Sequence, residues 1–302
     1  MLQTMDKNRA ILVLSIGLVA ISFASIFIKL CNAPSLVIAA YRLAIASIFY
    51  IGFTKIRKGS IWSVFSKSQF KIVLFAGVFL AIHFATWITS LKYTTVASSV
   101  VLVQTSPIFV ALGSFMFLRE RPSLLMLIGI TIALIGSIII SAHDFSLDRN
   151  SLLGNLLALI GAIGAAGYLL AGRKLRATID TFRYVTAVYS VTAVLLILLA
   201  ITSGATLVGY SPKNYLLFVA IALLPQVIGH TSLNWALKYF SATAVAVIIL
   251  GEPVGASILA IIILGEKLSL VKIFGGLVIL GGVIMAIIAE TKMNSTKSCN
   301  ER

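Results

Sequence analysis

Ten apolar runs, each about as long as a bilayer-spanning helix, leave this 302-residue chain few ways to fold. They cover Ile11–Ile28, Leu36–Phe53, Ile72–Leu91, Val96–Leu118, Leu124–Ala142, Leu152–Gly172, Tyr184–Thr202, Tyr215–Leu237, Ala242–Leu264 and Val271–Ala289. A helix crosses a hydrocarbon layer about 30 Å thick with roughly 20 residues. Barrel strands would alternate apolar and polar positions over about ten residues, and these runs do not. Charged residues are only 11% of the chain and the mean hydropathy is +1.07, against about 25% charged residues in soluble domains. The expected fold is an all-α integral membrane protein with ten transmembrane helices. Short loops leave no room for a soluble domain, so function must sit between the helices.

A net charge of +15 and a pI near 10.0 would suit a nucleic-acid partner, but the basic residues are placed for another purpose. Seventeen of them, among them Lys55, Arg57, Lys58, Arg119, Arg173, Lys174 and Arg302, fall on the side of the termini. Six fall on the other side: Lys29, Lys92, Arg149, Lys213, Lys267 and Lys272. This is the positive-inside bias, so both termini are expected in the cytoplasm of a bacterial-type inner membrane, with lipid rather than nucleic acid as neighbour. The first run is read as a retained helix, since no A-x-A exit follows it. Cys31 and Cys299 are expected on opposite faces, and no metal or redox spacing or cofactor motif is present.

The chain repeats itself. At a constant offset of 146, Leu91, Lys92 and Tyr93 fall on Leu237, Lys238 and Tyr239; Pro107 on Pro253; Glu120 on Glu266; Gly129 on Gly275; and Gly136 on Gly282. Apolar helices match leucines by chance, but not proline, glutamate and lysine in register. The expected units are residues 1–144 and 145–302, each with five spans. An odd number of spans turns the second unit upside down relative to the first, and inverted repeats suit alternating access around a central cavity.

The motifs HFATWITSLKYTTVASSVVLVQTSPIFVAL (83–112), GHTSLNWALKYFSATAVAVIILGEPVGA (229–256), LRERPSLLMLIGITIALIG and LGEKLSLVKIFGGLVILGG resemble the EamA family of the drug/metabolite transporter superfamily. The resemblance covers nearly the whole chain. It implies ten helices, cytoplasmic termini, a central cavity and movement of small metabolites, without naming a cargo.

Polar residues inside the spans are the candidate site. Glu252 is the one charge between Ala242 and Leu264, about 15 Å into its span. A carboxylate there costs at least about 2.5 kcal/mol, so it serves either as a cargo or proton site or as a tie between helices. Pro253, with Gly251 and Gly255, is expected to break the helix beside it; Pro107 and Pro225 are further hinge candidates. Ser106 is the repeat equivalent of Glu252. His83, Thr86, Trp87 and Ser90 share one helical face, and Gln226, His230 and Asn234 share another. Ser22 and Ser25 are weaker cavity candidates, since serines in spans more often serve packing. Tyr168 lies beside a stripe of Gly154, Ala158, Gly161, Ala165 and Gly172 suited to close helix contact. Arg42 has three readings: snorkelling outward, pairing with a carboxylate, or meeting an anionic cargo group. Glu120 and Glu266 are read as structural, near helix starts.

The expected function is a secondary transporter that exports small organic metabolites, amino-acid-like or amphipathic cationic, by alternating access, with proton coupling through Glu252. Trp87 and Trp235 would offer rings to a cation. The alternatives are an importer or exchanger of one metabolite, or a passive channel or receptor. No HExxH, GxSxG or GxxxxGK[ST] occurs, so neither a hydrolytic enzyme nor a nucleotide-driven pump is expected of this chain. Monomer and homodimer both remain open.

Overall fold

The computed structural model describes residues 2–57, 63–141, 149–265 and 270–300. Lys58, Glu266, Lys267, Arg302 and the unit boundary at 144/145 lie outside them. All regular structure among the described residues is helical: α1 Leu2–Leu30, α2 Ser35–Ile56, α3 Lys67–Tyr93, α4 Val96–Val103, α5 Ser106–Gly113, α6 Leu124–Ser141, α7 Arg149–Arg176, α8 Thr181–Thr202, α9 Pro212–Ile221, α10 Thr231–Ala236, α11 Ala242–Ile249, α12 Glu252–Leu264 and α13 Leu270–Asn300. Wider π-helical turns fill Ser114–Leu118 after α5 and Ala222–His230 between α9 and α10. Among the described residues, nine stretches are long and apolar enough to cross a membrane, while Leu124–Ile140 is a shorter apolar helix. Ten comparable spans were expected, so α6 is the exception. Large apolar side chains such as Leu12, Val19, Ile48 and Phe117 lie on the outer surface, where lipid is the natural solvent.

Helix starts follow local chemistry. Thr95 caps α4 by accepting from Ser98 N, and its repeat equivalent Ser241 caps α11 by accepting from Ala244 N. These oxygens satisfy backbone donors that a helix start leaves open.

The breaks also repeat. The fourth span stops at Val103 and restarts at Ser106; the ninth stops at Ile249 and restarts at Glu252. Gln104 and Thr105 at the first break correspond to Leu250 and Gly251 at the second. Pro107 and Pro253 each sit in the first two positions of the new helix, where a missing N–H costs nothing. Pro225 lies inside the wide turn Ala222–His230, and a wider turn is how a helix absorbs proline.

The small-residue stripes set the crossings. Gly161 packs against Trp87 and Gly164 against the His83 backbone, joining α7 to α3. A Cβ on Gly129 would lie 2.8 Å from the Gly282 carbonyl oxygen, and one on Gly136 2.7 Å from that of Gly275. Gly129 and Gly136 are the repeat equivalents of Gly275 and Gly282, so α6 and α13 cross antiparallel through matched glycines. α2 and α8 also run antiparallel, with Ser47 and Ser190 Oγ 2.7 Å apart and the Thr54 and Thr186 hydroxyls 3.2 Å apart.

Candidate functional site

A hollow of about 70 Å³ lies where the two helix breaks meet α2, α3 and α7. Arg42 enters it from α2, His83 and Trp87 from α3, Tyr168 from α7, and His230 from the wide turn. Ser106 and Glu252, the first residues of α5 and α12, enter from the breaks. Starting a helix at Glu252 places that side chain where the backbone donors of a helix end favour negative charge.

Arg42 is 1% exposed, so it does not snorkel to the surface. Its Nε donates to Gln226 Oε1 at 2.7 Å, and its guanidinium lies 4.2 Å from the centre of the Phe84 ring. It forms no ion pair with Glu252 within 4.0 Å. The Nη1 and Nη2 atoms of Arg42, Trp87 Nε1 and Gln226 Nε2 are buried with no hydrogen-bond partner.

The two histidines stand in an aromatic cluster. His83 stacks on Trp87 at 5.8 Å, and His230 meets Phe84 edge-on at 5.4 Å. His83 Nδ1 lies 2.9 Å from the Gly161 carbonyl oxygen. A carbonyl only accepts, so Nδ1 carries the hydrogen and Nε2 is left for other partners.

Other candidates sit behind or beside the hollow. Asn234 is fully buried and donates from Nδ2 to Tyr168 Oη and, at 2.7 Å, to the His230 carbonyl. It holds two cavity residues and does not line the cavity. Gln226 likewise acts through Arg42. Ser22 Oγ donates to Leu18 O at 2.8 Å and lies 3.3 Å from Glu252 O, tying α1 to α12 against Gly255. Gly251 packs on Leu18. Thr86 bonds within α3 to Ile82 O, and Ser90 bonds to Trp87 O and to the Ser99 hydroxyl of α4. Trp235, one of the two rings invoked for a cation, packs with Tyr239 at 4.6 Å, outside the hollow.

A second hollow of about 410 Å³ adjoins the first, and Trp87 lines both. Ser25, Ser257 and Pro253 line its depth, with Lys29, Lys92 and Lys272 at the ends of their helices. At the C-terminal end of α7, two arginines tie neighbouring segments together. Arg173 donates from Nε to Glu120 Oε1 at 2.8 Å and from Nη1 to the Leu237 carbonyl at 2.7 Å. Arg176 donates to the carbonyls of Asn234 and Ile179. Glu120 therefore joins two helix ends, and Glu290, within α13, holds the start of α11 by accepting from Ser241 N and Oγ.

Residues 8–142 and 152–288 each match the EamA-like transporter family. The chain belongs to that family. Among relatives of this EamA-like protein is an "Uncharacterized transporter" of Archaeoglobus fulgidus, 25% identical over 93% of this chain and 97% of that one. Another is an "Uncharacterized transporter" of Clostridium kluyveri, 26% identical over 69% and 68% of the two chains. A solved crystal structure superposes with a TM-score of 0.80 at 19% identity, across 95% of this chain and 99% of that one, which bears on the fold alone. The protein is a multi-pass membrane transporter.

Two features at or behind the hollow of this EamA-like transporter escaped sequence reasoning. Gln104 lines the hollow at the first break and accepts from Ser137 Oγ at 2.7 Å; an amide within an apolar run was the available signal. Phe84 stands under Arg42, and an apolar ring in an apolar run sends no signal.

Proposed function

We propose that this protein is a secondary transporter whose two five-helix halves are inverted copies, moving a small organic molecule by exposing one central hollow to each face in turn. The observation that carries the reading is the pair of helix breaks, at Gln104–Thr105 and Leu250–Gly251, which occupy equivalent places in the two copies and meet at one largely apolar hollow that Arg42, His83, His230 and Glu252 also line. Helices broken in mid-membrane are where transporters of this design hold cargo.

Two further arrangements support it. The antiparallel crossings of α6 with α13 and of α2 with α8 pair equivalent elements of the two copies, as a two-fold axis in the membrane plane requires. The wide hollow at the Lys92 end is matched by hydrogen-bonded closure at the Arg173 end, a shape expected of one extreme of a rocking cycle and unlike a pore open throughout. On the charge bias of the loops, the wide end faces outward.

Glu252 is proposed as the proton-carrying group. A carboxylate in this setting gains or loses a proton at modest cost relative to carrying its charge through lipid. The test is counterflow in proteoliposomes: cargo trapped inside accelerates uptake of labelled cargo by a carrier and not by a channel. Glu252→Gln is expected to retain counterflow and lose accumulation driven by a pH gradient. Gradient-driven accumulation by that variant at the original rate would remove Glu252 from the coupling.

A further inference from the structure

We infer that the inner hollow receives a carboxylate, held by the free edge of Arg42 with help from Trp87, so that the cargo is a small organic carboxylate rather than an amphipathic cation. This deepens the transport reading and rests on it for the word cargo, but the binding claim stands on its own geometry.

The starting observation is an imbalance. Around the hollow, the unpartnered buried atoms are Arg42 Nη1 and Nη2, Trp87 Nε1 and, behind them, Gln226 Nε2. All four are donors, and the acceptors lining the same hollow, the Glu252 carboxylate and His83 Nε2, bond to none of them. Asn234 Oδ1 and Tyr184 Oη are unpartnered too, but they lie together beside Gly172 and neither residue lines the hollow. Arg42 is 1% exposed and Trp87 6%, and a buried donor without an acceptor loses its hydration and gains nothing in return. A ligand that relieves this must bring acceptors.

The geometry narrows the acceptor. Gln226 holds Nε, and Phe84 covers one face of the guanidinium. What remains is the edge formed by the two Nη atoms, a planar fork that matches a planar, two-oxygen acceptor. A halide offers one sphere where the fork presents two parallel donors, and an amine or ammonium offers only more donors. Phosphate and sulfate can fit the same fork but carry more charge than one guanidinium answers. Gln226 has a definite role in this arrangement, because its Oε1 on Nε fixes the plane in which the fork lies.

Glu252 lines the same hollow without pairing to Arg42. The two charges nearly cancel, so a carboxylate entering alone would leave one net negative charge in a poorly solvated space, which is costly. One positive charge must enter with it. Either Glu252 takes up a proton, or the cargo carries its own ammonium near Glu252. Both make loading of the site electroneutral, and both tie Glu252 to the Arg42 site.

The experiment measures the thermal unfolding of detergent-purified full-length protein with matched probe pairs: benzoate against benzamide, propionate against propionamide, with phenylalanine, phenethylamine, chloride and inorganic phosphate as further arms. A ligand bound only by the folded state raises the midpoint in proportion to the logarithm of its concentration above Kd. The expected result is stabilisation by one or more carboxylates at millimolar concentration, none by the amides, amine or chloride, and loss of the effect in Arg42→Gln. Trp87→Phe keeps the ring and removes one donor, and is expected to weaken carboxylate binding about tenfold. If Arg42→Gln does not fold, Trp87→Phe decides alone. Stabilisation by phenethylamine alone, equal stabilisation by acid and amide, phosphate acting as strongly as carboxylate, or unchanged carboxylate binding in the variants would each overturn the proposal. Saturable flux of an uncharged or cationic compound without carboxylate binding would sink this inference and leave the transport reading standing. Carboxylate binding without flux would do the reverse.

Discussion

Arg42 on α2 reaches Gln226, in the wide turn before α10, through a single 2.7 Å hydrogen bond between residues 184 positions apart. That bond is what keeps a buried guanidinium partly satisfied and oriented, and it gives the first expectation. Gln226→Leu removes the acceptor and leaves the charge, which is expected to cost about 1–3 kcal/mol. Adding Arg42→Met removes the stranded charge and is expected to recover most of that loss. Denaturation of both single variants and the double checks this; a double variant as weak as the sum of its parts would show that the pair is not coupled.

Neighbouring glycines of α13 should respond in opposite ways. A Cβ at Gly282 would lie 2.6 Å from both the Ala133 nitrogen and the Gly129 carbonyl oxygen, whereas at Gly281 nothing lies within 4 Å. Gly282→Ala therefore has to push α6 and α13 apart, at about 1–3 kcal/mol. Gly281→Ala adds a methyl in open space and is expected to be neutral or to stabilise by up to about 1 kcal/mol. Thermal unfolding of both variants reads the difference.

The repeat also predicts a stabilising change. Arg119, at φ 56°, ends the fourth span in the left-handed region, and its equivalent at the end of the ninth is Gly265, at φ 67°. An L side chain pays roughly 1–2 kcal/mol there and glycine does not. Arg119→Gly is expected to stabilise the protein by about 1 kcal/mol, since the arginine is largely solvent-facing and the glycine's extra freedom in the unfolded chain offsets part of the gain. A fall in the unfolding midpoint would mean that the arginine side chain matters more than its backbone.

Cys31, in the loop between α1 and α2, is a native reporter for the wide hollow, which it lines. Burial pushes its thiol up from 9.0 to about 11, and Asn214 Oδ1 accepts from its Sγ at 3.6 Å. The thiolate is the reacting form. In a Cys299→Ser background, which leaves Cys31 as the single thiol, the rate of maleimide labelling between pH 7 and 10 is thus expected to rise about tenfold per pH unit. Below pH 9 it is expected to run about 100-fold slower than for a thiol at the ordinary value. A rate that levels off near pH 9 would show a thiol unaffected by its surroundings.

Much of this architecture was readable in one dimension. Whether a segment can leave water depends on the sum of its own side chains, so the apolar runs mark the spans without knowledge of neighbours. Helix breaks are equally local, because a proline lacks its donor wherever it stands; Pro107 and Pro253 sit at the restarts of the fourth and ninth spans for that reason. α6 marks where such local reasoning stops, since run length alone did not separate it from its nine longer companions.

The candidate site was legible only as a set of polar residue types. Trp87 and Trp235 look alike in sequence, yet one lines the hollow and the other packs on Tyr239. Asn234 and His230 share a helical face, yet His230 reaches the cavity while Asn234 holds Tyr168 from behind. Sequence alone determined that the chain is a repeated, ten-segment membrane protein with charged residues, Arg42 and Glu252, set within its spans, because solvation is a property of each segment. Only the tertiary structure decided that Arg42 turns inward onto Phe84 and Gln226 with two donors unanswered. That outcome depends on how helices approach one another, as α7 does α3 at Gly161 and Gly164, and close approach is a property of pairs of helices that no single stretch of chain contains.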